Sequence, residues 1–125
     1  MQAENPHAVL VVDDEVFIRM VAADVLSETG IAIYEAGNSS EALAVLEAHP
    51  DVALIFTDVN MPGDMDGLEL SGVVHRRWPH IKLIVTSGRQ IISDRSLPDN
   101  GTFLPKPYAP SDLIELVEKK LSDEK

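Results

Sequence analysis

Three short apolar runs in this chain each end on residues that could take part in one reaction. Asp13-Asp14 follow Ala8–Val12, Asp58 closes Val52–Asp58, and Lys106-Pro107 come just after Thr102–Leu104. If the runs are strands of a parallel sheet, the residues past their carboxyl ends share one crevice. Three carboxylates and one ammonium group then converge. Crowded carboxylates resist ionising together unless a cation sits among them, so the cluster predicts a divalent metal. Mg²⁺ suits it, because that ion takes a few carboxylates and fills its remaining positions with waters and substrate oxygens. An aspartate beside such an ion and a lysine is equipped to accept a phosphoryl group. The metal offsets repulsion between the two anions. Lys106 places a compact positive charge on a phosphoryl oxygen. Thr86, at the end of a further apolar run, offers a hydroxyl donor, and Ser87 is small enough to leave the approach open. Transfer is then positioning plus electrostatics, with Asp58 as the covalent nucleophile.

The elements that must hold these residues are legible as alternating patterns. Strands are expected at Ala8–Val12, Ile31–Glu35, Val52–Thr57, Ile81–Thr86 and Thr102–Leu104. The first, third and fourth are nearly unbroken in apolar character, as in strands covered on both faces. Helical spacing is expected over Glu15–Glu28, with Phe17, Met20, Val21, Val25 and Leu26 on or near one side. It recurs over Ser39–Ala48, where Asn38 and Glu41 suit an N-terminal cap. Gly67–Trp78 carries Leu68, Leu70, Val73 and Val74 and is ended by Pro79. Pro110–Leu121 carries Leu113, Leu116, Val117 and Leu121, with Pro110 suited to a first turn. Strand and helix alternating to the C-terminus imply a doubly wound α/β sandwich. Gly88–Gly101 departs from the alternation. Pro98 and Asp99-Asn100-Gly101 are turn chemistry, and at most about two helical turns fit before Pro98. The fourth helix is therefore expected to be short or disordered.

Composition narrows the function classes. The chain has 125 residues, enough for one domain with a single core. One domain over 1–125 is expected, with its core at about 8–121 and frayed tails at Met1–His7 and Ser122–Lys125. Ten basic against twenty-one acidic residues give a net charge of −11. That argues against nucleic acid as a direct partner and favours cations and basic protein faces. The absence of cysteine removes disulfides, thiolate metal sites and cysteine nucleophiles. No signal-type segment and no apolar run of membrane-spanning length occurs, so a cytoplasmic protein without a membrane partner is the default expectation. His7, His49, His75 and His80 lack metal-ligand spacing and read as surface residues.

The residues Val11-Val12-Asp13-Asp14-Glu15, Asp58-Val59-Asn60-Met61-Pro62 with Met65-Asp66-Gly67 behind them, Thr86-Ser87-Gly88 and Lys106-Pro107-Tyr108 occur in that order across nearly the whole chain. Together the chain resembles the receiver domain of two-component response regulators. The resemblance implies a flavodoxin-like five-stranded parallel sheet of order 2-1-3-4-5 with helices on both faces. It implies Asp58 as acceptor of a phosphoryl group from a histidine of a sensor histidine kinase or a phosphotransfer protein. It further implies Asp14 and Asp58 as direct Mg²⁺ ligands, Asp13 acting mainly through water, and the main-chain carbonyl of Asn60 completing the protein ligands. Thr86 and Lys106 would contact the phosphoryl group. Phe103 matches an aromatic that turns inward when Thr86 is drawn to the phosphate, and the Lys106–Pro107 bond is expected to be cis. Met61–Gly67 is one residue longer than the commonest spacing in the family, so that loop is expected to bulge.

Plainer readings exist for each part. Acids favour helix starts, which would account for Asp13-Asp14 alone. Asp58 alone is an ordinary loop acid, Lys106-Pro107 alone is a turn, and Phe103 is equally a core residue. Among other chemistries, a dehalogenase-type phosphatase needs a second aspartate where Asn60 stands. A flavodoxin needs a phosphate-binding loop where the acidic Asp13-Asp14-Glu15 stands, and the nucleoside-triphosphate motif Gly-x-x-x-x-Gly-Lys-Ser/Thr is absent. The expectation is a stand-alone response regulator, monomer or weak dimer, that catalyses its own phosphorylation and slow dephosphorylation and signals through protein contacts. It is not expected to be a conventional turnover enzyme. The alternatives are a phosphorylation-independent interaction receiver and a receiver fragment of a hybrid histidine kinase.

Overall fold

The computed structural model describes residues 8–98 and 101–122. The expected tails at Met1–His7 and Asp123–Lys125, His7 with them, and the Asp99-Asn100 part of the turn cluster lie outside the described residues. Five strands, β1 (Ala8–Val12), β2 (Ala32–Ala36), β3 (Val52–Asp58), β4 (Lys82–Ser87) and β5 (Thr102–Pro105), form one parallel sheet of order β2-β1-β3-β4-β5. The interleaved helices are α1 (Val16–Ser27), α2 (Ser39–Ala48), α3 (Gly67–Arg77) and α4 (Pro110–Ser122). This is the flavodoxin-like order that the resemblance implies.

Strand alternation sorts the core into two layers. Leu10, Val12, Ile55 and Leu83 pack with Ala42 and Leu46 of α2 and Leu70 and Val74 of α3. Val9, Val11, Leu54, Phe56 and Ile84 point the other way, onto Ala22 and Leu26 of α1 and Leu113 and Val117 of α4. Because β1 and β3 are covered on both faces, their side chains are buried almost throughout. Each fully buried Leu, Ile or Val contributes about 1.5–3 kcal/mol relative to exposure. The centre of the sheet is thus deeply buried, and it carries the acidic residues at its rim.

Boundaries move by one residue in places. β2 runs Ala32–Ala36 instead of Ile31–Glu35, since Ala36 pairs with Val12 and its carbonyl accepts from Asp13 N at 3.1 Å. β4 runs Lys82–Ser87 because Ile81 N instead closes a turn on Trp78 O, and α4 extends through Ser122 into the expected tail. Asn38 caps α2 by accepting from Glu41 N at 2.8 Å, whereas Glu41 reaches back to Gly37 N rather than to Asn38. The fourth helix is a single 3-10 turn, Asp94–Ser96.

The inward face of α1 needs correction. Val16, Phe17, Met20 and Val21 are exposed, Phe17 by 76%, while Ala22, Ala23 and Leu26 are buried. The helix is apolar nearly all round, so spacing alone could not choose the buried face. Ala22, Ala23 and Leu26 let α1 lie close to the sheet, while Val16, Phe17, Met20 and Val21 face outward.

Candidate functional site

Strand register assembles the site. Val12 pairs with Thr57, Asp58 with Thr86, Thr86 with Leu104, and Ser87 with Pro105. Asp13, Asp58, Thr86 and Lys106 therefore stand within a residue of one another along the rim. Lys106 N donates to Ser87 O at 3.1 Å, and Val59 N donates to Thr86 O at 2.9 Å, which extends the ladder past the strand ends. The Lys106–Pro107 peptide is cis.

Asp13, Asp14 and Asp58 each present a carboxylate oxygen, and these oxygens lie within 4.8 Å of one another. Asp13 and Asp58 are buried while Asp14 is exposed. Lys106 Nζ sits 3.3 Å from Asp58 Oδ1 and 3.5 Å from Asp13 Oδ2. Burial pushes the Asp58 carboxyl up; Lys106 pulls it down, and Asp13 and Asp14 push it up further, leaving it raised from 3.8. Burial opposes the charge on Lys106, but Asp13 and Asp58 outweigh it, so the ammonium is held above its usual value of 10.5. Tyr108 is pushed up to about 12 by burial and by the charges of Asp13 and Asp58. One lysine cannot satisfy three carboxylates. An oxygen-lined acidic cluster with water access fits a hard divalent cation such as Mg²⁺.

Thr86 contributes a second sign of an incoming ligand. Its hydroxyl is buried, with no hydrogen-bond partner among the described residues. Such groups are normally paired, and here the missing partner would be an acceptor entering the cleft. The cleft is lined by Asp14, Glu15, Ile18, Asp58, Asn60, Gly88, Arg89 and Lys106. Asn60 is thus at the site, its side-chain Oδ1 accepting from Ser87 Oγ at 2.7 Å. Phe103 is one layer removed, half-buried against Val59, Val85 and Leu97.

Several supporting residues were not visible as such in the sequence. Arg19 donates to the Asp13 carbonyl at 2.9 Å and pairs with Glu35 at 3.0 Å, tying the acidic turn to α1 and β2. Asp13 Oδ1 accepts from Glu15 N at 3.0 Å. Asp66 and Glu69 form a reciprocal capping box at the start of α3. Gly67 N donates to Val59 O at 2.9 Å, and a Cβ there would collide with the Asp58 backbone. Asp66 followed three residues later by Glu69 is a capping signal. The close approach at Gly67 left no sequence signal beyond the glycine itself. In the Met61–Gly67 loop, Gly63 sits at φ 110°, and Met65 O accepts from Ser39 Oγ at 3.0 Å.

Residues 9–118 match the response regulator receiver domain family. This chain belongs to that family. It is 36% identical over 124 residues to the transcriptional regulatory protein PdtaR of Mycobacterium tuberculosis, covering 96% of this chain and 59% of that protein. It is 32% identical to the chemotaxis protein CheY of Thermotoga maritima, covering 89% of this chain and 94% of that one. The crystal structure of the receiver domain of NtrX from Brucella abortus superposes with a TM-score of 0.84 at 32% identity, covering 93% of this chain and 99% of that one. The receiver thus spans about three fifths of PdtaR and nearly all of CheY. Among the described residues, no helix is long and apolar enough to cross a membrane.

Proposed function

We propose that this receiver, with its core at about 8–121, takes a phosphoryl group onto Asp58 from a histidine of a sensor kinase or phosphotransfer protein. The single observation that carries the reading is the Asp58 carboxylate seated between Lys106 and two further aspartates, with the unpaired Thr86 hydroxyl on the adjoining strand. Asp13, Asp14 and Asp58, with the Asn60 carbonyl, would hold Mg²⁺, whose charge lets an anionic phosphoryl group approach an anionic nucleophile. An Asp58 oxygen bonds to phosphorus as the donor's phosphorus–nitrogen bond breaks, and that electron pair leaves with the imidazole. Lys106 steadies one phosphoryl oxygen. Thr86 donates to another, which satisfies its orphaned hydroxyl and draws Phe103 inward behind it.

A protein donor fits the surroundings. Phe17, Ile18 and Val21 of α1 form a shallow apolar depression with Lys106, Pro107 and Tyr108, beside the cleft. A phosphohistidine carried on a helical partner could seat there with its ring over Asp58. Downstream, the receiver acts by a population shift that changes its protein contacts.

The test is incubation with Mg²⁺ and acetyl phosphate, followed by intact-protein mass. The parent chain gains one phosphoryl group, and Asp58→Asn gains none. A parent that stays unlabelled, with a spectrum unmoved by beryllofluoride, would favour the phosphorylation-independent interaction module.

A further inference from the structure

Ser87 is buried, and its hydroxyl has every hydrogen-bonding position filled. It accepts from Arg89 N at 3.1 Å and Gln90 N at 3.2 Å, and faces the Asn60 side chain at 2.7 Å. Backbone N–H groups can only donate, so those two contacts occupy both lone pairs of the hydroxyl. Its one proton must then go to Asn60, and the Asn60 atom facing it must be the carbonyl oxygen. That fixes which way the carboxamide is turned. The amide nitrogen, with its two donors, is left for the cleft that Asn60 lines with Asp58 and Lys106.

We infer that Ser87 is a positioning residue: its hydroxyl locks the Asn60 carboxamide with the donor end toward the phosphoryl cleft, and through Arg89 and Gln90 it ties that orientation to the segment after β4. This rests on Asp58 being the phosphoacceptor. An aspartyl phosphate is lost when a water oxygen bonds to phosphorus and the bond from phosphorus to the Asp58 oxygen breaks. The electron pair returns to the carboxylate and the water's proton passes to solvent. An amide donor held at the edge of the cleft orients that water and the phosphoryl oxygens. Without Ser87, the carboxamide can turn its acceptor end inward, toward groups that are already anionic. The Arg89 and Gln90 N–H groups near the start of the β4–β5 connector would also lose their acceptor, so a partner that pulls on the connector would alter the lifetime of the phosphorylated form.

The test uses the full chain as parent, Ser87→Ala, Ser87→Thr, Asn60→Ala and the Ser87→Ala/Asn60→Ala pair. Each is labelled with acetyl phosphate and Mg²⁺, freed of donor, and followed by intact mass. Asn60→Ala and Ser87→Ala each slow the loss of label by roughly three- to tenfold, the kinetic equivalent of one hydrogen bond's net worth. The double variant matches Asn60→Ala alone, because the serine acts through the asparagine. Ser87→Thr, which keeps the hydroxyl, loses label at the parent's rate. Mg²⁺ affinity of the unlabelled Ser87→Ala protein, by calorimetry, stays at the parent's value, since the carboxylates are untouched. Additive effects in the pair, a threonine variant that behaves like alanine, or weakened Mg²⁺ binding in Ser87→Ala would each overturn the inference and leave Asp58 as the acceptor. A parent that takes no label would remove the phosphoacceptor reading and this one with it.

Discussion

The rim of β1 and β3 and the connector between β4 and β5 lie side by side, yet they are built by opposite means. Asp13 and Asp58 emerge from strands whose neighbours are buried on both faces, and their backbones are pinned by ladder hydrogen bonds and by Arg19. The described connector, residues 88–98, buries only Leu97 and leaves Ile91 89% exposed. What holds it is sparse: Ser87 Oγ at its start, a small cluster through Ile92 and Leu97, and the Asp94 carboxylate, which accepts from Phe103 N at 2.9 Å. Electrostatic chemistry needs groups that do not move as charge shifts, whereas a reporter needs an element whose arrangement costs little to change. With Asp58 as the proposed phosphoacceptor, each demand would fall in the region suited to it.

The largest expected effect would break this division outright. Asp58→Asn abolishes phosphoryl incorporation, and Lys106→Ala lowers its rate by about two orders of magnitude, the scale for removing one preorganised charge-stabilising donor. A Lys106→Ala variant labelled at the parent's rate would show that the rigid rim does not do the electrostatic work.

Gly67→Ala sharpens the comparison next. It forces a methyl group against the Asp58 backbone and is expected to destabilise the fold by roughly 1–3 kcal/mol, as overpacking does, measured by urea denaturation. Substituting Ala for exposed Gly88 should do neither harm, because its Cβ would meet only the Lys106 side chain at ordinary contact distance.

pH tests the rim's charge balance. Asp58 has a folded pKa raised above 3.8, so its ionised form costs stability. That cost is absent at lower pH and grows as pH rises from 3.8 through the folded value. At neutral pH without metal, Asp58→Asn should therefore raise the melting temperature, and Mg²⁺ should stabilise the parent more than the variant. At the alkaline end both Lys106 and Tyr108 have raised values, and both make stability fall as pH rises. Tyr108 does so between its ordinary 10 and about 12. Tyr108→Phe should move the alkaline unfolding midpoint upward, read by circular dichroism.

The smallest effect lies in the connector. Asp94→Ala removes the acceptor from Phe103 N and should speed exchange of that amide severalfold while leaving global stability within about 1 kcal/mol, as for one exposed hydrogen bond. Beryllofluoride with Mg²⁺ should change exchange protection across 88–98 and leave β1 and β3 unaltered. Equal protection throughout would dissolve the contrast between the two regions.

Much of this was readable from the chain alone, for reasons that differ by element. Ala8–Val12 and Val52–Asp58 announce themselves because strands buried on both faces must be apolar throughout, and the change to aspartate marks where the sheet meets water. Pro98 and the lack of a helical repeat after Gly88 predicted the loss of a helix there, since proline chemistry is local. The outward face of α1 was misread because large apolar residues stand on its exposed side as well as its buried one, so spacing alone does not say which side packs inward. Residue types and their order along the chain fixed which side chains could do chemistry, because strand ends, caps and turns are decided within a few residues. Only the tertiary structure decided that Val12 lies beside Thr57 and Asp58 beside Thr86, that Gly67 leaves no room for a methyl group, and that Ser87 donates to Asn60. Register and close approach between segments far apart in sequence depend on how whole layers pack, which no local pattern encodes.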